Sequence, residues 1–299
     1  MKRLALITSL LLASFKPAIA NEAIDQLDGK RIVFLGDSIT QAGTYVGFTA
    51  YYLNKLYPGK SFDVFSLGLS SETLSGLSEE GHAGGRFPRP CLFERYGRLL
   101  DKVKPEVVFA CYGINCGIYK PLDDERFAAF KNGVTKLIKD SKAAGVKKIY
   151  IATPPIFDTV TKEGEFNYDS VMTAYAAWET TIKEDGVKVI DLHSAMRKAR
   201  DARDEVFSKD RVHPGKEGHL FMATTILKGL GIKVPEDDLA TLSKDPLYRA
   251  VEGQRSMRSK AWMKHVGYNR EKLVKPQPLG ETEIKVAEMQ VMIDRLKKK

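Results

Sequence analysis

Cysteine is scarce in this 299-residue chain: Cys91, Cys111 and Cys116 are the whole supply. So small and odd a number excludes a disulfide framework and leaves room for one bridge at most. No C-x-x-C or H-x-x-H pair accompanies them, so a bound metal would find no ligand set. Long apolar runs are missing too. The longest, the mostly apolar Leu4–Phe15, has 12 residues, short of the roughly 18–20 that a bilayer-crossing helix needs. No stable membrane insertion is therefore expected. Internal repeats and low-complexity tracts are absent. With 43% hydrophobic and 28% charged residues, the chain can bury one large core or two small ones.

The short apolar run has a different use. Lys2 and Arg3 precede it, and the small residues of Ala18-Ile19-Ala20 follow it. That is the pattern of a secretory signal peptide. Residues 1–20 are expected to be removed, leaving a chain that begins near Asn21 in the periplasm or outside the cell. An uncleaved anchor is the alternative; the lack of a cysteine at the cleavage point argues against a lipid anchor.

A surplus of one charge sign is absent where chemistry would be done. The net charge is +9, but residues 21–232 hold 29 basic and 28 acidic side chains, and residues 233–299 alone carry +5. The basicity is no argument for nucleic acid, and a near-neutral region suits an uncharged substrate at least as well as a charged one. The terminal surplus reads either as a solvated helix face or as a docking element for an acidic polymer or partner. Oligomeric state is not encoded in any pattern here.

Five short runs rich in Val, Ile and Phe are Arg31–Leu35, Phe62–Leu67, Glu106–Tyr112, Lys147–Ala152 and Lys188–Leu192. Each reads as a strand covered on both faces. Helical stripes lie between them: Phe48, Tyr52, Leu53 and Leu56, stopped by Pro58; Phe127, Phe130, Val134, Leu137 and Ile138, closed by Gly145; Val171, Tyr175, Trp178 and Ile182. Strand–helix alternation predicts an α/β fold with an open, mainly parallel sheet. Ligands in such sheets bind beyond the C-terminal strand ends. Val234-Pro235-Glu236-Asp237-Asp238 reads as a linker into a helical segment without a convincing strand, whose residues 282–297 place Ile284, Ala287, Val291 and Met292 on one side.

Four motifs follow the strands. Ser38, in Gly36-Asp37-Ser38-Ile39-Thr40, stands at a strand-to-helix turn, where it can be a nucleophile or a helix N-cap. Gly68 and Asn115 can supply a backbone and a side-chain donor to a developing oxyanion, or simply shape turns. Asp210 and His213, three apart before Pro214, can orient and hold a general base. Other histidines compete: His193 beside Asp191 at a strand end, His219 in an apolar helix, His82 in the Gly-rich loop 81–86 as a substrate contact, and His265 with no visible partner. The G-x-S-x-G elbow of α/β-hydrolases is absent.

Taken in order, these motifs resemble the SGNH (GDSL-like) hydrolase family over roughly residues 30–232. The resemblance implies a three-layer, flavodoxin-like sandwich around a five-stranded, mainly parallel sheet; it does not cover 233–299, which reads from its own residues as a mainly helical extension. It implies Ser38 as nucleophile, His213 as base, Asp210 as its orienting carboxylate, and the amides of Ser38 and Gly68 with the Asn115 side chain as oxyanion donors. No cofactor and no metal are implied. Two positions depart from the family pattern: Cys116 stands where an aspartate usually follows Asn115, and Ser66 where an asparagine usually precedes Gly68. Altered local hydrogen bonding, not lost activity, is expected at the first, and a less rigid loop at the second.

The function expected is removal of acetyl or other short acyl groups, with a carbohydrate ester as the favoured substrate. A lipid esterase or thioesterase on the same fold is the alternative within the family. A non-catalytic carbohydrate-binding protein is the alternative outside it.

Overall fold

The computed structural model describes residues 22–159 and 164–298; the expected signal peptide lies outside the described residues. The apolar runs form β1 (Arg31–Gly36), β2 (Asp63–Ser66), β3 (Val107–Cys111), β4 (Lys148–Ala152) and β5 (Val187–Ile190). All pair in parallel, in the order β2-β1-β3-β4-β5. The order reverses direction at β1, and in open α/β sheets the crevice beside such a reversal is where ligands sit.

Because side chains alternate along a strand, the sheet feeds two cores. Ile32, Phe34, Val107, Phe109 and Tyr150 face one, while Val33, Leu35, Val108, Ala110, Ile149 and Ile151 face the other. Phe34, Phe109 and Tyr150 sit opposite one another in register and stack at 4.5 Å spacing. β5 departs from the expected two-sided burial: it ends the sheet, and Lys188 is exposed.

The helices are α1 (Glu22–Leu27), α2 (Ser38–Ala42), α3 (Thr44–Leu56), α4 (Tyr96–Val103), α5 (Asp124–Ala143), α6 (Asp169–Glu179), α7 (Leu192–Asp201), α8 (Lys216–Gly229), α9 (Leu239–Lys244), α10 (Pro246–Val266) and α11 (Thr282–Leu296). α1, α3, α7 and α8 cover one face of the sheet, and α4, α5 and α6 the other. α10 serves both. Leu247, Ala250 and Val251 enter the first core, and Trp262, Met263 and Val266 the second. Its start follows from sequence: Asp245 caps the Leu247 amide at 2.8 Å, and Pro246 takes the first helical position, where no amide is needed.

Between its two ends α10 lies along β2, the opposite edge of the sheet. The Ser66 amide donates to Ser259 Oγ at 3.0 Å, Arg258 pairs with Asp63, and Phe65 stacks on Trp262 at 5.8 Å. An open strand edge is thereby covered.

Two readings of the C-terminal segment need correction. A two-stranded hairpin, β6 (Tyr268–Asn269) with β7 (Leu273–Val274), follows α10. And α11 turns the expected apolar stripe outward: Ile284 is 62% and Val291 52% exposed, while Ile293 is buried. The cause is polar. Glu283 accepts from Arg258 and from Trp262 Nε1, Gln254 donates to the Val286 carbonyl, and Lys297 donates to the Lys60 carbonyl. Those anchors fix which side of α11 faces the protein.

Candidate active site

Ser38, Gly68 and Asn115 follow β1, β2 and β3, three adjacent strands, and so meet at one end of the sheet. Asp37 is the N-cap of α2, accepting from the Ile39 amide at 3.0 Å. Ser38 is thus the first helical residue and not the cap, so its hydroxyl is left for other work. Burial pushes the Asp37 carboxyl up to about 6, against the pull of the Ile39 amide and of His213.

Ser38 Oγ lies 2.8 Å from His213 Nε2, across 175 positions of sequence. His213 Nδ1 lies 2.6 Å from Asp210 Oδ2. The other oxygen of Asp210 accepts the Val212 and His213 amides at 3.0 and 2.7 Å. Partial burial raises the Asp210 carboxyl, but the His213 amide, the imidazole and the Val212 amide together outweigh it and hold the group below its ordinary range. An ionised acceptor at Nδ1 fixes the tautomer that leaves Nε2 free to take a proton. The loop itself is pinned by Asp158, whose carboxylate accepts from the Phe207 and Ser208 amides and from Arg200 Nε.

Gly68 rests against the turn into α2. A Cβ there would stand 2.7 Å from the Asp37 carbonyl oxygen and 2.6 Å from the Thr40 carbonyl carbon, so only glycine permits the approach. The amides of Ser38 and Gly68 have no acceptor among the described residues. The second motif is held from below by a fully buried pair: Arg95 donates to both oxygens of Glu72 at 2.6 and 2.7 Å and to the Leu67 carbonyl at 2.7 Å, and Tyr112 donates to Glu72.

Asn115 is buried, and its amide is oriented. Oδ1 accepts from Arg89 Nη1 at 2.8 Å and from Tyr119 OH at 3.3 Å, leaving Nδ2 as the donor, with only a long 3.4 Å contact to the Glu72 carbonyl. Gly113, two residues before it, has φ +136°, and a Cβ there would stand 2.7 Å from Pro154 Cβ, a place for glycine alone. Cys116, the first departure from the family pattern, is a buried free thiol whose sulfur accepts the Leu74 amide; burial pushes it up to about 12. Ser66, the second, accepts from Arg255 Nη1 at 2.7 Å, and Arg255 also reaches the Ala42 carbonyl. The loop is braced from α10 instead of from within.

Residues 34–220 match the GDSL-like Lipase/Acylhydrolase family. The chain belongs to that family. It is an ester-hydrolysing enzyme. Among solved structures, a variant of an acetyl-xylooligosaccharide esterase from Geobacillus stearothermophilus is 21% identical, with a TM-score of 0.54 over 71% of this chain and 98% of that one. A catalytic variant of an acetylxylan esterase from the same organism gives 21% and 0.53 over 70% and 98%. A gut microbial diltiazem-metabolizing enzyme gives 17% and 0.51 over 68% of this chain and 47% of that one. At these identities the likeness is one of fold. No curated protein gives a match.

The competing histidines of this acylhydrolase make no contact with Ser38 among the described residues. Asp191 caps α7 through the Ser194 amide, so His193 is inside a helix and not at a strand end; it is buried against Thr173. His219 is buried beside Tyr45, and burial pulls it down to about 4. His265 does have a partner, the Gln277 carbonyl at 2.7 Å. His82 pairs with Glu79 at 3.3 Å and meets the Phe87 ring edge-on. Arg89, Tyr119, Arg95 and Arg255 were invisible as site residues in the sequence. The one hint was a departure: Ser66 in place of asparagine asks for a partner from outside the motif.

The Asp210–His213 pair is open, with side chains 58% and 51% exposed. A cavity of about 520 Å³ adjoins His213, lined in part by Val206, Lys209, Lys216 and Glu217. A second, of about 400 Å³, adjoins Gly68. Among the described residues no group of His, Cys, Asp or Glu could hold a metal ion, and no helix is long and apolar enough to cross a membrane.

Proposed function

We propose that this acylhydrolase removes acetyl or similar short acyl groups from carbohydrate outside the cytoplasm, exported by residues 1–20. The observation that carries the chemistry is the chain of short contacts from Ser38 through His213 to Asp210, 2.8 and 2.6 Å. His213 Nε2 takes the Ser38 proton as Oγ attacks the acyl carbon. The oxyanion rests against the amides of Ser38 and Gly68 and Asn115 Nδ2, donors with no competing short contact. His213 then returns the proton to the leaving alcohol oxygen as its bond to carbon breaks. Water, deprotonated by the same nitrogen, attacks the acyl-enzyme; the acid departs and the proton returns to Ser38.

The openness of the pair supports a bulky, hydrated alcohol over a lipid. The cavity beside His213 is lined by Lys209, Lys216, Glu205 and Glu217 as well as by Val206, Phe207 and Leu239. Acetylated xylo-oligosaccharides, the substrate named for the neighbouring esterase, are therefore the first to test. Ser38→Ala and His213→Ala are each expected to abolish turnover of p-nitrophenyl acetate with unchanged circular dichroism. Wild-type rates in either would refute the assignment. Activity confined to long-chain esters would refute the carbohydrate reading alone.

A further inference from the structure

The +5 surplus of residues 233–299 is not spread evenly over solvent. Arg255 is paired with Glu252, Arg258 with Asp63 and Glu283, Lys285 with Glu281, and Lys297 with Asp294. Arg270 Nε is held on the Ser70 carbonyl and its guanidinium lies over Phe87. Lys260 and Lys264 are unpaired, as Lys272 and Lys275 are, and are set apart by lining a cavity. They stand one turn apart on α10, both exposed, and neither ammonium has an ion pair or hydrogen bond among the described residues.

Both lysines line the cavity of about 400 Å³ that adjoins Gly68. Its walls are Gln41 and Gly68 from the catalytic motifs, Arg255, Lys260 and Lys264 from α10, and Tyr268 from the hairpin that follows. No aspartate or glutamate lines it. Gln41 is on the same five-residue helix as Ser38, about 4.5 Å further along its axis. Gly68 is thus common to the cavity and to the place where an acyl group would sit against Ser38. Two lysines without an acid, an aromatic ring, serine hydroxyls and a glutamine side chain form a surface that fits a hydrated ring bearing negative charge.

We propose that this cavity is a subsite for an anionic group, a carboxylate on the sugar carrying or adjoining the ester, and that Lys260 and Lys264 select for it. The C-terminal segment is thereby a specificity element of the active site. The inference rests on the ester-hydrolase reading and narrows its substrate class to acylated acidic carbohydrate.

The probes are O-acetylated oligogalacturonides with free carboxylates and the same oligomers with methyl-esterified, uncharged carboxyl groups, so that charge alone differs. For the wild type, kcat/KM is expected to be about tenfold higher on the free acid, equivalent to ~1.4 kcal/mol, and the advantage should shrink in 0.5 M salt. In Lys260→Gln/Lys264→Gln the ratio is expected to fall to near one through KM. As an arm independent of turnover, calorimetry on Ser38→Ala should detect unacetylated oligogalacturonide binding that the lysine substitutions remove. A wild-type ratio near one, no turnover of either oligomer by a protein that hydrolyses p-nitrophenyl acetate, or a ratio unchanged by the double substitution would overturn the subsite. Failure to hydrolyse p-nitrophenyl acetate as well would overturn the esterase reading itself.

Discussion

Asn115 is a donor only because its other end is occupied. With Oδ1 held by Arg89 and Tyr119, Nδ2 has one orientation. Asn115→Ala should lower kcat by about 10²–10³. Arg89→Ala should lower kcat by about tenfold with little change in KM, since the amide then loses its fixed direction and not its presence; Arg89→Lys should not rescue it, because one ammonium cannot serve Glu79 and Asn115 as the fork does. Steady-state kinetics on p-nitrophenyl acetate separates these outcomes, and a pure KM effect would contradict them. Ser38, Gly68 and Asn115 were legible because each follows a strand, and Asp210 and His213 because they stand three apart in one short motif. Arg89 was not: its part in the site depends on a contact 26 positions away.

A second prediction at this scale concerns Glu179, buried in α6 with Oε2 unpaired. Burial pushes its carboxyl well above the usual range. The fold therefore takes up a proton that the unfolded chain releases. Stability from this group is full below the ordinary carboxylate pKa and falls by about 1.4 kcal/mol per pH unit as pH rises toward the folded value. Glu179→Gln removes that slope, so its Tm should exceed the wild type's by a margin that widens from pH 4 to pH 7. A margin constant with pH would contradict this.

Among elements, the turn after β2 depends most on partners outside itself. Arg95 and Glu72, both fully buried, hold the Leu67 carbonyl from one side, and Arg255 holds Ser66 from the other. Glu72→Ala or Arg95→Ala leaves a buried charge alone and should cost about 3–5 kcal/mol, read by urea denaturation; replacing both with apolar residues of similar volume should cost much less. Strand positions were readable because Val, Ile and Phe cluster where both faces are buried. The exposed stripe of α11 was misread because a helical period says which residues share a side, not which side faces the core. That was decided by Glu283, Gln254 and Lys297, polar contacts with no periodic signature.

In the whole molecule, α10 covers the β2 edge, contributes to both cores and braces the Ser66 turn. A chain ending at residue 232 should therefore be insoluble, or active at less than about a hundredth of the full chain, because the β2 edge is left open and the Ser66 turn loses Arg255. A soluble, fully active truncation would contradict that dependence. The claim on which the rest stands is that Ser38 Oγ becomes covalently acylated. Mass mapping after treatment with a fluorophosphonate tests it most directly. The account predicts a single adduct on the peptide containing Ser38, abolished in His213→Ala. An unlabelled protein that still hydrolyses ester, or an adduct on another serine, would contradict it.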